Sequence, residues 1–98
     1  MNIERQENTV KIAETEDITA SNVEGLRQSI LKEMDDTLKF IELDLKDVEL
    51  IDSTGISLLI SIQNSLGKNE GKLKILNASK DISYMLNMMR LNQHFEIS

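Results

Sequence analysis

The sequence has no cysteine, no proline and no tryptophan, and a single histidine among its 98 residues. Without cysteine there is no disulfide framework, no thiolate nucleophile and no zinc ribbon. With His94 alone, His-pair metal sites and His–His relays are excluded, so neither a metal nor a cofactor is expected. No apolar run approaches the roughly 20 residues of a membrane span, and the polar opening Met1–Asn8 lacks the form of a signal peptide. Cations are scarce as well: 11 Lys and Arg face 17 Asp and Glu, a formal charge of −6. Nucleic acids and anionic membranes are held by clustered Lys and Arg, so neither is an expected partner. What remains is a cytoplasmic protein, one domain over residues 1–98, of a length at which a single core is feasible without staples.

The hydrophobic period changes several times along the chain. Ile3 opens a short polar segment, and Val10 and Ile12 alternate with Thr9, Lys11 and Ala13. The two segments read as a hairpin turning around Glu7–Asn8. Ser21-Asn22-Val23-Glu24 has the form of a capping box. Val23, Leu26, Ile30, Leu31 and Met34 then follow at helical spacing, predicting a helix over about residues 22–35. Gly25 inside it is expected to allow close approach to a sheet. Phe40, Ile41, Leu43 and Leu45 read as a central strand, and Val48, Leu50 and Ile51 lead on to Asp52. Ile56, Leu59, Ile60 and Leu66 form a second helical face, closed by Gly67 in the left-handed position that ends many helices. After the turn Lys68–Gly71, Leu73, Ile75 and Leu76 make a strand. Ser79 caps a third helix with Ile82, Met85, Leu86 and Met89 inward and Met88 outward. Phe95 and Ile97 suggest a last short strand. Strands alternating with helices predict an α/β fold, a mixed or mostly parallel sheet of about 4–5 strands packed against helices.

Asp52-Ser53-Thr54-Gly55 places a carboxylate and two hydroxyls where a strand gives way to a helix. Open α/β sheets put binding sites at that end of their strands. The plainest role is helix capping, which Asp, Ser and Thr all perform. A second role is a phosphate acceptor, since phosphorylation adds about −1.5 to −2 charges. A nucleophilic serine is disfavoured: the G-x-S-x-G elbow is absent, and His94 has no motif around it. A response-regulator receiver needs an acidic pair after its first strand, and a phosphocarrier needs an early acceptor histidine; the chain has neither.

The run Leu50-Ile51-Asp52-Ser53-Thr54-Gly55-Ile56-Ser57, preceded by a strand and the turn Leu45-Lys46-Asp47-Val48, resembles the STAS domain of bacterial anti-sigma-factor antagonists. Length, element order and motif position agree over nearly the whole chain. The resemblance implies that Ser53 is the phosphorylation site, with Thr54 second to it. It implies that the unphosphorylated form binds an anti-sigma factor that is also a serine kinase, freeing a sigma factor, and that a PP2C-type phosphatase reverses the modification. The implied partner-binding residues are Thr19, Asp52, Ser53, Thr54, Gly55, Ile56 and Ser57, with Gly55 admitting the partner backbone, on a protein that acts as a monomer and is not an enzyme. The same domain also serves as a scaffold subunit of transport or stressosome-like assemblies without serine turnover. Where many members read G-E-L-D before the first helix, this chain has Glu16, Asp17, Ile18 and Thr19, so the final Asp is a Thr. Gly55-Ile56-Ser57 stands for the common G-L-G, and the final helix of longer members does not follow Phe95–Ser98. Asp35-Asp36 reads as a solvated helix end, His94 as a loop residue, and residues 67–71 as a plain turn.

Overall fold

The computed structural model describes all of residues 1–98. Five strands and three helices follow one another as β1 (Asn2–Gln6), β2 (Thr9–Ala13), α1 (Val23–Glu33), β3 (Phe40–Asp44), α2 (Ser53–Gly67), β4 (Lys72–Leu76), α3 (Lys80–Met88) and β5 (Glu96–Ile97), with a 3-10 turn at Leu91–Gln93. The strands lie side by side in chain order, β1 antiparallel to β2 and every later pair parallel. This is the mixed α/β sheet that the element order predicted. The hairpin turns at Glu7, whose φ of 55° lies in the left-handed region.

Chain order also decides which face is covered. Each parallel connection steps one strand in the same direction, and right-handed crossovers then put all three helices on one face of the sheet. The covered face carries Val10, Ile12, Ile41, Leu43, Leu73 and Ile75, all buried. Leu26 and Ile30 of α1, Leu59, Ile62 and Leu66 of α2, and Ile82 and Leu86 of α3 close over them in one cluster. On the open face, Glu4, Lys11, Glu42, Lys74 and Glu96 occupy one row across all five strands, paired in register. Their signs alternate, so each strand meets opposite charge on its neighbour, which favours the register and keeps the uncovered face solvated. Lys74 Nζ lies 3.9 Å from Glu96 and 4.8 Å from the centre of the Phe40 ring.

Several local expectations are corrected. The capping box does not form. Asn22, not Ser21, precedes α1, and its helical φ and ψ hold no side-chain cap. The Thr19 carbonyl already accepts from the amides of Asn22 and Val23. Glu24 is drawn instead to Arg27 (2.8 Å) and Gln28, because a charged donor outcompetes a backbone amide. Gly25 faces open space rather than the sheet. Gly67 is the last helical residue, and the reversal uses Glu70 at φ 60°. Gly71 is more than part of a turn: a Cβ there would collide with the backbone carbonyl of Lys39. Leu31, Ile60 and Met89 are exposed, whereas Leu58 and Ile62 are buried. Met88 is exposed and Met85 packs against the core, as expected. Asp35 and Asp36 are exposed just beyond the end of α1, as expected, and Asp35 in addition accepts from Arg5 Nη2 (3.1 Å) and from the amides of Thr37 and Leu38.

Candidate functional site

At the carboxyl ends of β2 and β3 the chain does not turn away at once. Both strands run on as loops that meet beyond the sheet, where Ile18 and Ile51 form an isolated parallel bridge. The Ile18 amide donates to the Leu50 carbonyl (3.0 Å), and the Asp52 amide donates to the Ile18 carbonyl (3.2 Å). Both isoleucine side chains are buried. The first helix and the start of α2 are thereby held at a fixed distance, although they are far apart in sequence.

Asp52 is the N-cap of α2, with the extended backbone (φ −95°, ψ −175°) that this position requires. One carboxylate oxygen accepts from the Gly55 amide at 2.9 Å, and the other accepts from the Ala20 amide at 2.9 Å. These two amides, Gly55 first, hold the carboxyl below the usual carboxylate range. Asp17 works in the opposite direction: its Oδ1 accepts from the amides of Glu49 (3.0 Å) and Leu50 (3.1 Å). Two carboxylates thus cross-link the same pair of loops.

On this platform Ser53 and Thr54 are the first two residues of α2, and both are exposed. Ser57, one turn on, is exposed and its hydroxyl donates to the Ser53 carbonyl at 3.0 Å. Thr19 lies across the bridge, half-buried, with its hydroxyl 3.2 Å from that of Ser21. The fold therefore brings Thr19, Asp52, Ser53, Thr54 and Ser57 to one rim. Gly55 and Ile56 sit beneath it, buried. The glycine requirement at position 55 arises inside the chain, because a Cβ there would run into the Ile18 carbonyl and lie 2.8 Å from Ile51 Cγ2. Gly55 is thus required by the packing of the chain itself, and the Ile56 side chain belongs to the buried core. Sequence reasoning missed Asp17 and Ala20 as members of the rim. Asp17 could have been noticed as a second acidic residue in the G-E-L-D-like segment; nothing in the sequence marks Ala20.

The depressed carboxylates give the protein an acid limit. A carboxyl whose folded pKa lies below its unfolded value stabilises the fold above the unfolded value and loses that contribution as pH falls through the folded one. Asp52 and Asp35 start from an ordinary 3.8, and Asp35 is lowered chiefly by Arg5. Glu24 is lowered from 4.5 to about 2 by Arg27. The melting temperature is therefore expected to be flat from neutral pH to about 5, then to fall progressively toward pH 2. Thermal melts across that range check it, and Asp52→Asn should flatten part of the fall; a curve identical to wild type would remove Asp52 as a contributor.

The STAS domain family model matches residues 1–98. No curated protein sequence matches the chain. Among solved structures, the anti-sigma factor antagonist SpoIIAA in its unphosphorylated form shares the fold at a TM-score of 0.82 and 19% identity, over 99% of this chain and 86% of its own. A protein of Thermotoga maritima described as a putative anti-sigma factor antagonist gives 0.84 and 18%, over 98% and 83%. The murine anion transporter Slc26a9 gives 0.78 and 17%, over 96% of this chain but 16% of that one. With identities this low the structural likeness speaks for the fold, and it agrees with the family match over every residue: the chain belongs to the STAS domain family.

Proposed function

We propose that this protein is an anti-sigma factor antagonist, a cytoplasmic, monomeric, single-domain binding protein whose surface is switched by phosphorylation of Ser53. The observation that carries the reading is the exposed Ser53 hydroxyl at the rigid start of α2, beside a carboxylate that is itself fixed to two backbone amides. In the unmodified state the rim of Thr19, Asp52, Ser53, Thr54 and Ser57 binds an anti-sigma factor that is also a serine kinase, and a sigma factor is released. The Ser53 oxygen then takes the γ-phosphoryl group of ATP: its bond to phosphorus forms, the β–γ bridge bond breaks, ADP leaves and the hydroxyl proton passes to a base on the kinase. The added charge of about −1.5 to −2 meets Asp52 and a chain already at −6. Like charge and desolvation at the interface then switch binding off, and a PP2C-type phosphatase restores it. Thr54, also exposed, is the secondary acceptor. No ligand chemistry beyond phosphate is required, so the protein is a substrate and binder rather than an enzyme.

The test uses a purified anti-sigma factor kinase with ATP. Wild type should gain one phosphate by mass and Ser53→Ala none; unchanged incorporation in Ser53→Ala sinks the assignment. Phosphorylated wild type should bind the same partner about 100-fold or more weakly, the scale of a few kcal/mol of charge repulsion. The likeness to a domain of Slc26a9 favours one rival, a scaffold subunit of a transport or stressosome-like assembly. That rival wins if Ser53→Asp and Ser53→Ala bind every partner equally.

A further inference from the structure

Asp52 faces two ways, and its two oxygens hold unequal partners. The bond from the Gly55 amide is local, three residues along, and is fixed by the start of α2. The bond from the Ala20 amide crosses 32 positions of sequence and ends in an exposed loop. Below that loop the chain is firmly held: Ile18 is buried, bonded through both its amide and its carbonyl, and pressed against Gly55. Above it, the Thr19 carbonyl starts α1 by accepting from Asn22 and Val23. Between these anchors, Ala20 and Ser21 are exposed, and the Ala20 amide has the Asp52 carboxylate as its partner. The salt bridges of the chain lie elsewhere, at Arg5, Arg27 and Lys74, so no cation offsets negative charge at Asp52.

Resting on the reading of Ser53 as a phosphate acceptor, we propose that Asp52 is a positioning residue that relays the phosphate to the loop Thr19–Ser21. A dianion on the adjacent side chain repels the Asp52 carboxylate. The carboxylate yields at its weaker anchor, the Ala20 amide, while the Gly55 cap and the Ile18–Ile51 bridge stay in place. Phosphorylation then alters two parts of the rim at once: the charge at Ser53 and the conformation of Thr19–Ser21 across from it. The partner is rejected by a changed shape as well as by a changed charge, without refolding of either helix.

Phosphoserine installed at position 53 by genetic code expansion tests the relay without any kinase. Amide exchange measured by NMR at fixed pH should be roughly tenfold or more faster at Ala20 in the phosphoprotein, with Ile18 and Gly55 unchanged, as expected for like charges a few ångströms apart near a surface. In Asp52→Asn the Ala20 amide should exchange fast already, and the phosphate should add less than about twofold, because no charge remains to be repelled. As a second measurement on the native residue, a carbon-13 titration should show the Asp52 carboxyl moving up in the phosphoprotein. An Ala20 rate unaltered by phosphate, an unmoved Asp52 titration, or an equal phosphate response in Asp52→Asn overturns the relay. Because the phosphate is installed directly, each of these failures leaves the kinase and binding tests of Ser53 to stand or fall separately.

Discussion

Gly55→Ala lowers the unfolding free energy by about 3 kcal/mol, the upper range for forcing an extra carbon into a packed site. The new Cβ would collide with the Ile18 carbonyl and press on Ile51 Cγ2 at 2.8 Å and Ile18 Cγ2 at 3.0 Å. None of these can step aside cheaply. The carbonyl is bonded to the Asp52 amide, and both isoleucines are buried at the bridge. A backbone contact of this kind yields only if the two loops separate, and separation also loosens the cross-links made by Asp17 and Asp52. Gly25→Ala supplies the contrast. It lies within α1 with open space where the Cβ would go, so the change should add about 0.5–1 kcal/mol through helix propensity alone. Urea unfolding of the two variants checks both signs; Gly55→Ala within about 1 kcal/mol of wild type would mean that the contact with Ile18 is not a constraint.

Leu59→Ala is expected to lose about 3–4 kcal/mol, the usual result of deleting a leucine from a core that cannot collapse around the hole. Leu59 has no exposed surface and sits in the middle of α2, facing the sheet. Domains of this size are stable by about 5–15 kcal/mol, so the loss is a large share of the total. It translates into a fall in melting temperature of roughly 12–30 °C. The effect reaches the rim because the apolar side of α2 is what keeps its first turn, with Ser53, in place. Leu50→Ala removes a side chain of the same chemistry that is 56% exposed, and should move stability by less than about 0.5 kcal/mol. Denaturant midpoints with an unchanged slope would establish both; equal losses at the two positions would contradict the observed burial.

Much of the fold was legible because its signals are short-ranged. Period-2 alternation at Val10 and Ile12 and the helical spacing of Leu26 and Ile30 each report an element from neighbours a few residues away. The caps of α2 and α3 were legible for the same reason: the Asp52 and Ser79 side chains accept from amides three residues on. Local signals failed where two partners competed. Ser21 and Glu24 have capping-box spacing, but Arg27 at the next turn took the carboxylate. Hydrophobicity also named too many inward residues, since Leu31 and Ile60 are apolar yet exposed.

The sequence by itself determined the layered α/β class, the order of its elements and the position of Asp52-Ser53 at a helix start. All of these depend on interactions within about one turn or one hairpin. Tertiary structure alone decided that the helices share one face, that Asp17 and Ala20 belong to the rim, and that Gly55 and Gly71 are required where Gly25 is not. Those facts rest on contacts more than 20 positions apart, such as Lys74 with Glu96, Ala20 with Asp52 and Gly71 with Lys39. Such contacts exist only once the parallel register of β2, β3 and β4 has set where each loop emerges. A glycine looks the same in a sequence whether its missing Cβ faces water or a backbone carbonyl. Only the chain folded back against it makes the difference.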